Sequence, residues 1–343
     1  MHRVADQIVE ILEKAGVKRI YGIVGDSLNP VTDALRRRKT IEWIHVRHEE
    51  VAAFAASAEA QLSGNLAVCC GSSGPGNLHL INGLFDAHRN HAPVLAIASH
   101  IPQSQVGMEY FQATHPEQLF KECSAYAELV SEASQAPSIL MSAIQHAWAR
   151  RDVGVVVLPG DIADAPAEMK NLVHPPSYTR ENVVPEHESV SLLARMLDDH
   201  RRITFFCGAG CAGAEDRVVR LAHRLKAPIA YTWRGKDYFE HDNPLGIGMT
   251  GLLGWGDAYK AMHESDMLVL WGTDFPYFNF IPTKPEIVQI DRRGEVLGRR
   301  CRLDLGICGD VSVTAEALLN MVQEKTDSGH LDAALNRHAR DVK

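Results

Sequence analysis

"IEWIHVRHEEVAAFAASAEAQLSG", Ile41–Gly64, runs an apolar stretch of strand length directly into an alanine-rich stretch of helical period that ends on glycine. A strand feeding a helix is half of a βαβ unit. Two adjacent acids, Glu49 and Glu50, stand at the junction. Acids in a first helical turn are favoured by the macrodipole, which would account for both. Their neighbours Val46, Val51, Ala52 and Phe54 imply a partly buried junction, however, and a buried carboxylate needs a partner. One acid is therefore expected to face solvent and the other to meet a ligand or a base.

The same alternation extends to both sides. "KRIYGIVG", "IEWIHVRH", "LAVCCGS", "PVLAIAS", "YAELVS" and "VGVVVLPGD" read as strands. Between and before them, "VADQIVEILEKAG", "SLNPVTDALRRR", "VAAFAASAEAQLSG", "NLHLINGLFDAHRN", "PEQLFKECS" and "PSILMSAIQHAWARR" read as helices. Val- and Ile-rich strands alternating with helices predict a parallel sheet covered on both faces, a doubly wound α/β domain over 1–165. "PAEMKNLVHPPSYTRENVVP", 166–185, holds four prolines and no sustained period, and reads as a linker. A second doubly wound domain is predicted over 186–343: helix "SVSLLARMLDD", strand "RITFFCG", helix "EDRVVRLAHRLK", strands "APIAYTW", "DMLVLWG" and "EIVQIDRR", then helix "VSVTAEALLNMVQEK" and a polar tail.

Bulk properties narrow the function. A chain of 343 residues is about twice a typical domain of roughly 100 to 200. Its formal net charge of −8 offers no basic stripe for nucleic acid, and the run Arg36–Lys39 suits a helix C-terminus. No apolar run approaches the roughly 20 residues that span a bilayer, and a cytoplasmic protein is expected. The seven cysteines are scattered and read as reduced core residues; no HExxH or paired zinc spacing occurs, so no metal site is expected.

In doubly wound sheets, chemistry collects where strands end. Besides Glu49, the first domain places "GSSGPGN" (71–77) after its third strand, where Gly74 and Gly76 would let a flat ligand approach backbone. The long "SHIPQSQVGMEYFQATHP" (99–116) follows the fourth. In the second domain, "GAGCAG" (208–213) fits GxGxxG between a strand and a helix. The acid expected about 20 residues later is missing from "YTWRGK", which argues against a specific NAD site. "GMTG" (248–251), "GTDFPY" (272–277) and Asp291 add further turns at the same predicted edge, as a long ligand would need.

These segments, from "AGVKRIYGIVGDSLN" through "GPGNLHLINGLFDAHRNHAPVLAIASHIP", "YFQATHP", "VVVLPGD" and "CGAGCAGA" to "GMTGLLG", resemble the first two domains of thiamine diphosphate enzymes. Within that family the chain looks like the bacterial flavin-dependent pyruvate oxidases that pass electrons to quinone. The resemblance implies a pyrimidine-binding domain followed by a Rossmann-like FAD-binding domain. It makes Glu49, directly after "RH", the activating acid of the aminopyrimidine, with Glu50 the outer acid. It sets Gly74, Pro75, Gly76 and Asn77 against the pyrimidine, and Phe111 and Gln112 beside the reacting carbon. It lays FAD over Gly208, Gly210, Cys211, Gly213, Met249, Thr250, Gly251, Thr273, Phe275, Tyr277 and Asp291. The implied reaction is oxidative decarboxylation of pyruvate, or a similar 2-oxo acid, to acetate and CO2 in a dimer or tetramer. Acetolactate synthases share the two domains and are the competing reading within the family. A non-catalytic nucleotide-binding module is the competing reading outside it.

Members of the family carry a third domain whose Gly-Asp-Gly stretch and downstream Asn hold magnesium and the diphosphate. Neither is present through Lys343, and Asp257 in "GWGDAY" and Asp310 in "CGDVS" lack that context. Magnesium is therefore expected only through that absent domain, and peripheral membrane binding by the parent enzyme only through a carboxyl-terminal segment that this sequence does not show. The chain is expected to be inactive alone.

Overall fold

Arg19–Gly22 forms the first strand, β1, and it takes parallel neighbours on both sides: Glu42–His45 (β2), with Arg19 opposite Glu42, and Ala67–Gly71 (β3), with Ile20 opposite Val68. Val94–His100 (β4), Tyr126–Leu129 (β5) and Val153–Pro159 (β6) complete a parallel sheet of order β2-β1-β3-β4-β6-β5. The chain leaves β1 toward β2 and then returns to the other side of β1 with β3. That reversal opens a crevice at the carboxyl ends of β1 and β3.

The computed structural model describes residues 2–167, 181–254 and 256–341. The chain divides into two units, Met1–Arg180 and Glu181–Lys343. In the first, strand residues alternate between two apolar layers, one holding Val68, Cys70, Leu95 and Ile97, the other Ala67, Cys69, Val94 and Ala96. Cys69 and Cys70 therefore enter opposite cores and cannot bridge; burial pushes the Cys69 thiol up to about 12. Helices Val4–Lys14 (α1) and Asn29–Arg38 (α2) cover the first layer, and Glu49–Ser63 (α3) and Pro75–Arg89 (α4) cover the second. Small residues let α3 and α4 approach closely: a Cβ added to Gly83 would stand 2.5 Å from that of Ala53.

The second unit holds Ile203–Cys207 (β7), Ile229–Tyr231 (β8), Gly246–Met249 (β9), Met267–Trp271 (β10), Glu286–Asp291 (β11) and Leu305–Cys308 (β12). These also run parallel, in the order β12-β11-β10-β7-β8-β9. Counted within the unit, this is the 3-2-1-4-5-6 order of dinucleotide-binding folds, with its switch point between β7 and β10. Phe205 and Phe206 point into opposite cores, as a sheet covered on both faces requires. No helix among the described residues is long and apolar enough to cross a membrane.

The structure differs from the sequence reading in several places. "PEQLFKECS" is not one helix but a single turn at Pro116–Leu119 followed by a 3₁₀ turn at Lys121–Cys123, with Phe120 between them buried in the core. The helix from Val311 stops at Leu319 rather than running to Lys325, whose N–H donates to Arg224 O and whose Nζ donates to His200 O. The "polar tail" contains a helix, Gly329–Asp341, seated by buried Leu331 and Ala334 and by His330 Nε2, 2.9 Å from Thr204 Oγ1. Strands β9 and β12 and the helix Gly256–Glu264 escaped the reading; "GIGM" and "LGIC" are four residues long and half glycine or polar in setting, too short for a period. Residues 168–180 of the predicted linker lie outside the described residues. Its ends are fastened, Ala167 N–H to His2 O and Val183 N–H to Asp310 Oδ2.

Candidate active site

After β2 the chain bends at Arg47, and His48, itself extended, caps α3 by accepting a hydrogen bond at Nδ1 from the backbone N–H of Glu50. Glu49 and Glu50 then occupy the first helical turn and diverge. Glu49 is buried, 7% exposed, with Oε2 at 3.0 Å from His79 Nδ1 on α4. Glu50 turns outward, where Asn82 donates to its carboxylate. The two acids thus occupy different environments although their sequence context is shared. His79 also stacks on His48, with ring centroids 4.2 Å apart. The sequence reading quoted His79 without selecting it; only the side-by-side placement of α3 and α4 pairs it with an acid thirty positions earlier.

The turn after β3 meets this acid from the other side. Gly74 has φ +68°, and a Cβ there would come within 3.1 Å of Gln112. Pro75 begins α4, where its missing N–H costs nothing. A Cβ on Gly76 would stand 3.2 Å from Glu49 Oε1 and 2.7 Å from Ser72 Oγ, so glycine keeps the carboxylate open to the turn. Asn77 is fully buried; its Nδ2 donates to Ser99 O at 2.6 Å, while its Oδ1 has no protein partner. Such an orphaned acceptor is uncommon in a buried side chain. Ser73 ties the crevice together, donating from Oγ to Gln112 Oε1 and from its backbone N–H to Ser27 Oγ. Gln112 is thereby held at the glycine turn, whereas Phe111 is 83% exposed with its ring against Tyr110. His100, at the end of β4, was not selected from sequence; it is buried with Nδ1 unpartnered, and burial lowers its pKa.

In the second unit the candidate residues fall at the carboxyl ends of β7, β9, β10 and β11. The first two glycines of "GAGCAG" have a packing role: a Cβ on Gly208 would lie 2.5 Å from Thr273 Cβ, and one on Gly210 would lie 2.7 Å from Gly272 Cα. Gly213, at φ +76°, faces open space and donates its N–H to Glu215. Cys211 sends its side chain into the core, with Sγ near Trp271 O, so only its backbone belongs to the turn. Met249 and Thr250 are buried; Gly251, at φ +117°, lies against the ring of Phe275. Thr273 is buried and its carbonyl accepts from Gln289, while Phe275, also buried, meets the half-exposed Tyr277 edge-on. Burial pushes the Asp291 carboxyl up, opposed by the backbone N–H and guanidinium of Arg293.

Residues 2–120 match the thiamine pyrophosphate enzyme N-terminal TPP binding domain, and residues 190–318 match the thiamine pyrophosphate enzyme central domain. An uncharacterized 42.6 kDa protein in the isoamylase 3′ region of Pseudomonas amyloderamosa is 56% identical over 98% of this chain and 86% of its own length. A putative thiamine pyrophosphate-containing protein of Bacillus subtilis (strain 168) is 34% identical over 97% of the chain, which spans 58% of that protein. Pyruvate oxidase of Lactiplantibacillus plantarum is 32% identical over 93% of the chain, which spans 54% of it. With both domains matched in order, the chain belongs to the thiamine pyrophosphate enzyme family, of which it carries the N-terminal TPP binding domain and the central domain.

Proposed function

We propose that this chain is the amino-terminal part of a thiamine diphosphate- and FAD-dependent pyruvate oxidase that converts pyruvate to acetate and CO2 and delivers electrons to a quinone. The observation that carries the reading is Glu49: a buried acid at the mouth of a switch-point crevice, facing a turn whose glycine leaves its carboxylate open. Bound thiamine diphosphate supplies a thiazolium that serves as electron sink for decarboxylation. Glu49 holds a proton toward the nitrogen of a bound aminopyrimidine, and Gly74 and Gly76 give a flat ring access to backbone. Asn77 offers an acceptor at the same turn. Gln112 and Phe111 lie on the loop beside the substrate.

In the second unit the turns at Gly208–Gly213, Met249–Gly251 and Thr273–Tyr277 would support an extended flavin nucleotide, with Asp291 near its adenosine half. Thr250 and Thr273 supply buried hydroxyls on that edge, and Tyr277 an accessible ring. The diphosphate and its magnesium would be held by residues outside these 343, in a dimer or tetramer, so the chain alone should release no CO2 from pyruvate. A second reading has support in a chloroplastic acetolactate synthase of Arabidopsis thaliana, 27% identical over 98% of the chain. Product analysis of the complete enzyme separates the two: acetate with reduced quinone supports the oxidase, and acetolactate overturns it. CO2 release by the 343-residue chain alone would refute the assignment of half a site to it.

A further inference from the structure

The geometry points to a divalent transition-metal site, of the zinc class, formed by one imidazole nitrogen from each of His48 and His79 and one carboxylate oxygen of Glu49. The three donor atoms all lie within 4.8 Å of one another. His79 Nδ1 and Glu49 Oε2 are already 3.0 Å apart. Two ligands of a tetrahedral zinc ion, each bonded at about 2.0–2.2 Å, stand roughly 3.3 Å from each other, so this pair has nearly the required bite. His48 stacks its ring on that of His79, with centroids 4.2 Å apart, which brings its ligand atom within the same 4.8 Å.

Three features favour an ion over a bare hydrogen bond. The donors are preorganised: His48 is fixed as the cap of α3, Glu49 is the next residue, and His79 is carried on α4, which the Gly83–Ala53 contact presses against α3. Access is open, because the side chains of His48 and His79 are each 44% exposed while Glu49 is buried beneath them. Water can then complete the coordination shell. Finally, two imidazoles and one carboxylate select zinc, cobalt, nickel or copper rather than magnesium or calcium, which prefer an all-oxygen shell.

The ion would occupy the carboxylate assigned above to the aminopyrimidine, so it would compete with thiamine diphosphate; this consequence rests on the proposed function, whereas metal binding itself does not. The test is titration of the 343-residue chain with Co2+ and no thiamine present, read by visible absorption, followed by displacement with Zn2+. We expect one tight site per chain. His79→Phe, which keeps a ring stacked on His48, and Glu49→Gln should each weaken it roughly tenfold or more. Their thermal unfolding should match that of the parent. Since the chain holds 17 histidines, tight binding that persists unchanged in both variants would place the ion elsewhere and overturn the proposal. Absence of any tight Co2+ or Zn2+ binding by the parent chain would overturn it equally.

Discussion

Glu49 Oε1 lies 3.2 Å from the point that a Cβ on Gly76 would occupy. The acid and the turn therefore share one small volume. Gly76→Ala should keep the helix, since Gly76 sits in the first turn of α4 and alanine favours helix over glycine by roughly 1 kcal/mol, provided Ser72 Oγ rotates away from the new Cβ, which would otherwise stand 2.7 Å from it. In a complete enzyme it should weaken thiamine diphosphate binding roughly tenfold, about 1.4 kcal/mol. Unchanged affinity by calorimetry would mean that the ring does not approach this turn.

The divergence of the two acids gives a sharper contrast. In a complete enzyme Glu49→Gln should slow hydrogen–deuterium exchange at C2 of bound thiamine diphosphate by orders of magnitude, because the amide cannot hold the shared proton. Glu50→Gln loses only an outward carboxylate bonded to Asn82 and should change the rate little. Equal effects would show that the buried acid had been given the wrong role.

For the second unit, FAD should bind and NAD should not compete. The strand order fits a dinucleotide, but β8 ends at Tyr231 and is followed by Thr232 and Trp233, with no acid to meet a ribose. Quenching of flavin fluorescence on titration reads this directly. Tight NAD binding without FAD binding would reverse the assignment.

Acid should loosen the second unit through His330. Burial lowers its folded-state pKa below the ordinary 6.5, so the unfolded chain takes up the proton first as pH falls. Its contribution is therefore complete above about pH 6.5 and declines below that value. Between pH 7.5 and 5.5 the unfolding free energy should therefore fall as this group is protonated in the unfolded chain first. His330→Gln keeps a polar partner for Thr204 but cannot take up the proton, and should remove that part of the dependence in thermal melts. Identical pH profiles for parent and variant would refute the attribution.

Much of this was legible in the sequence because the determinants are local. Strands such as β4, with its apolar run Val94–Ala98, are legible by themselves; at the Glu49 junction Ala52 is buried and Val46 partly buried as expected, whereas Val51 and Phe54 face solvent. What was not legible depends on separate segments meeting. His79 gains meaning only beside Glu49, and the bare acceptor of Asn77, itself a sequence candidate, emerges only when Ser99 takes its amide. The helix Gly329–Asp341 is mostly polar, and Leu331 and Ala334, buried against the unit's core with Leu335 packed partly against it, distinguish it from a tail. Short strands fail for a different reason: β9 and β12 each span four residues, so pairing with a neighbour rather than pattern defines them.

Gly208, Gly210 and Gly272 interlock backbone against backbone where β7 and β10 end, with Gly210 N–H donating to Gly272 O. A side chain at any one of them would drive the two turns apart before any nucleotide arrived. The glycine spacing is thus enforced by the sheet's own closure, and a lineage that ceased to use a nucleotide would still be held to it. Loss of flavin chemistry should leave its mark instead on positions outside that lock, such as Tyr277, whose ring is partly exposed and touches only side chains and Gly251, not the Gly208–Gly210 and Gly272 turns.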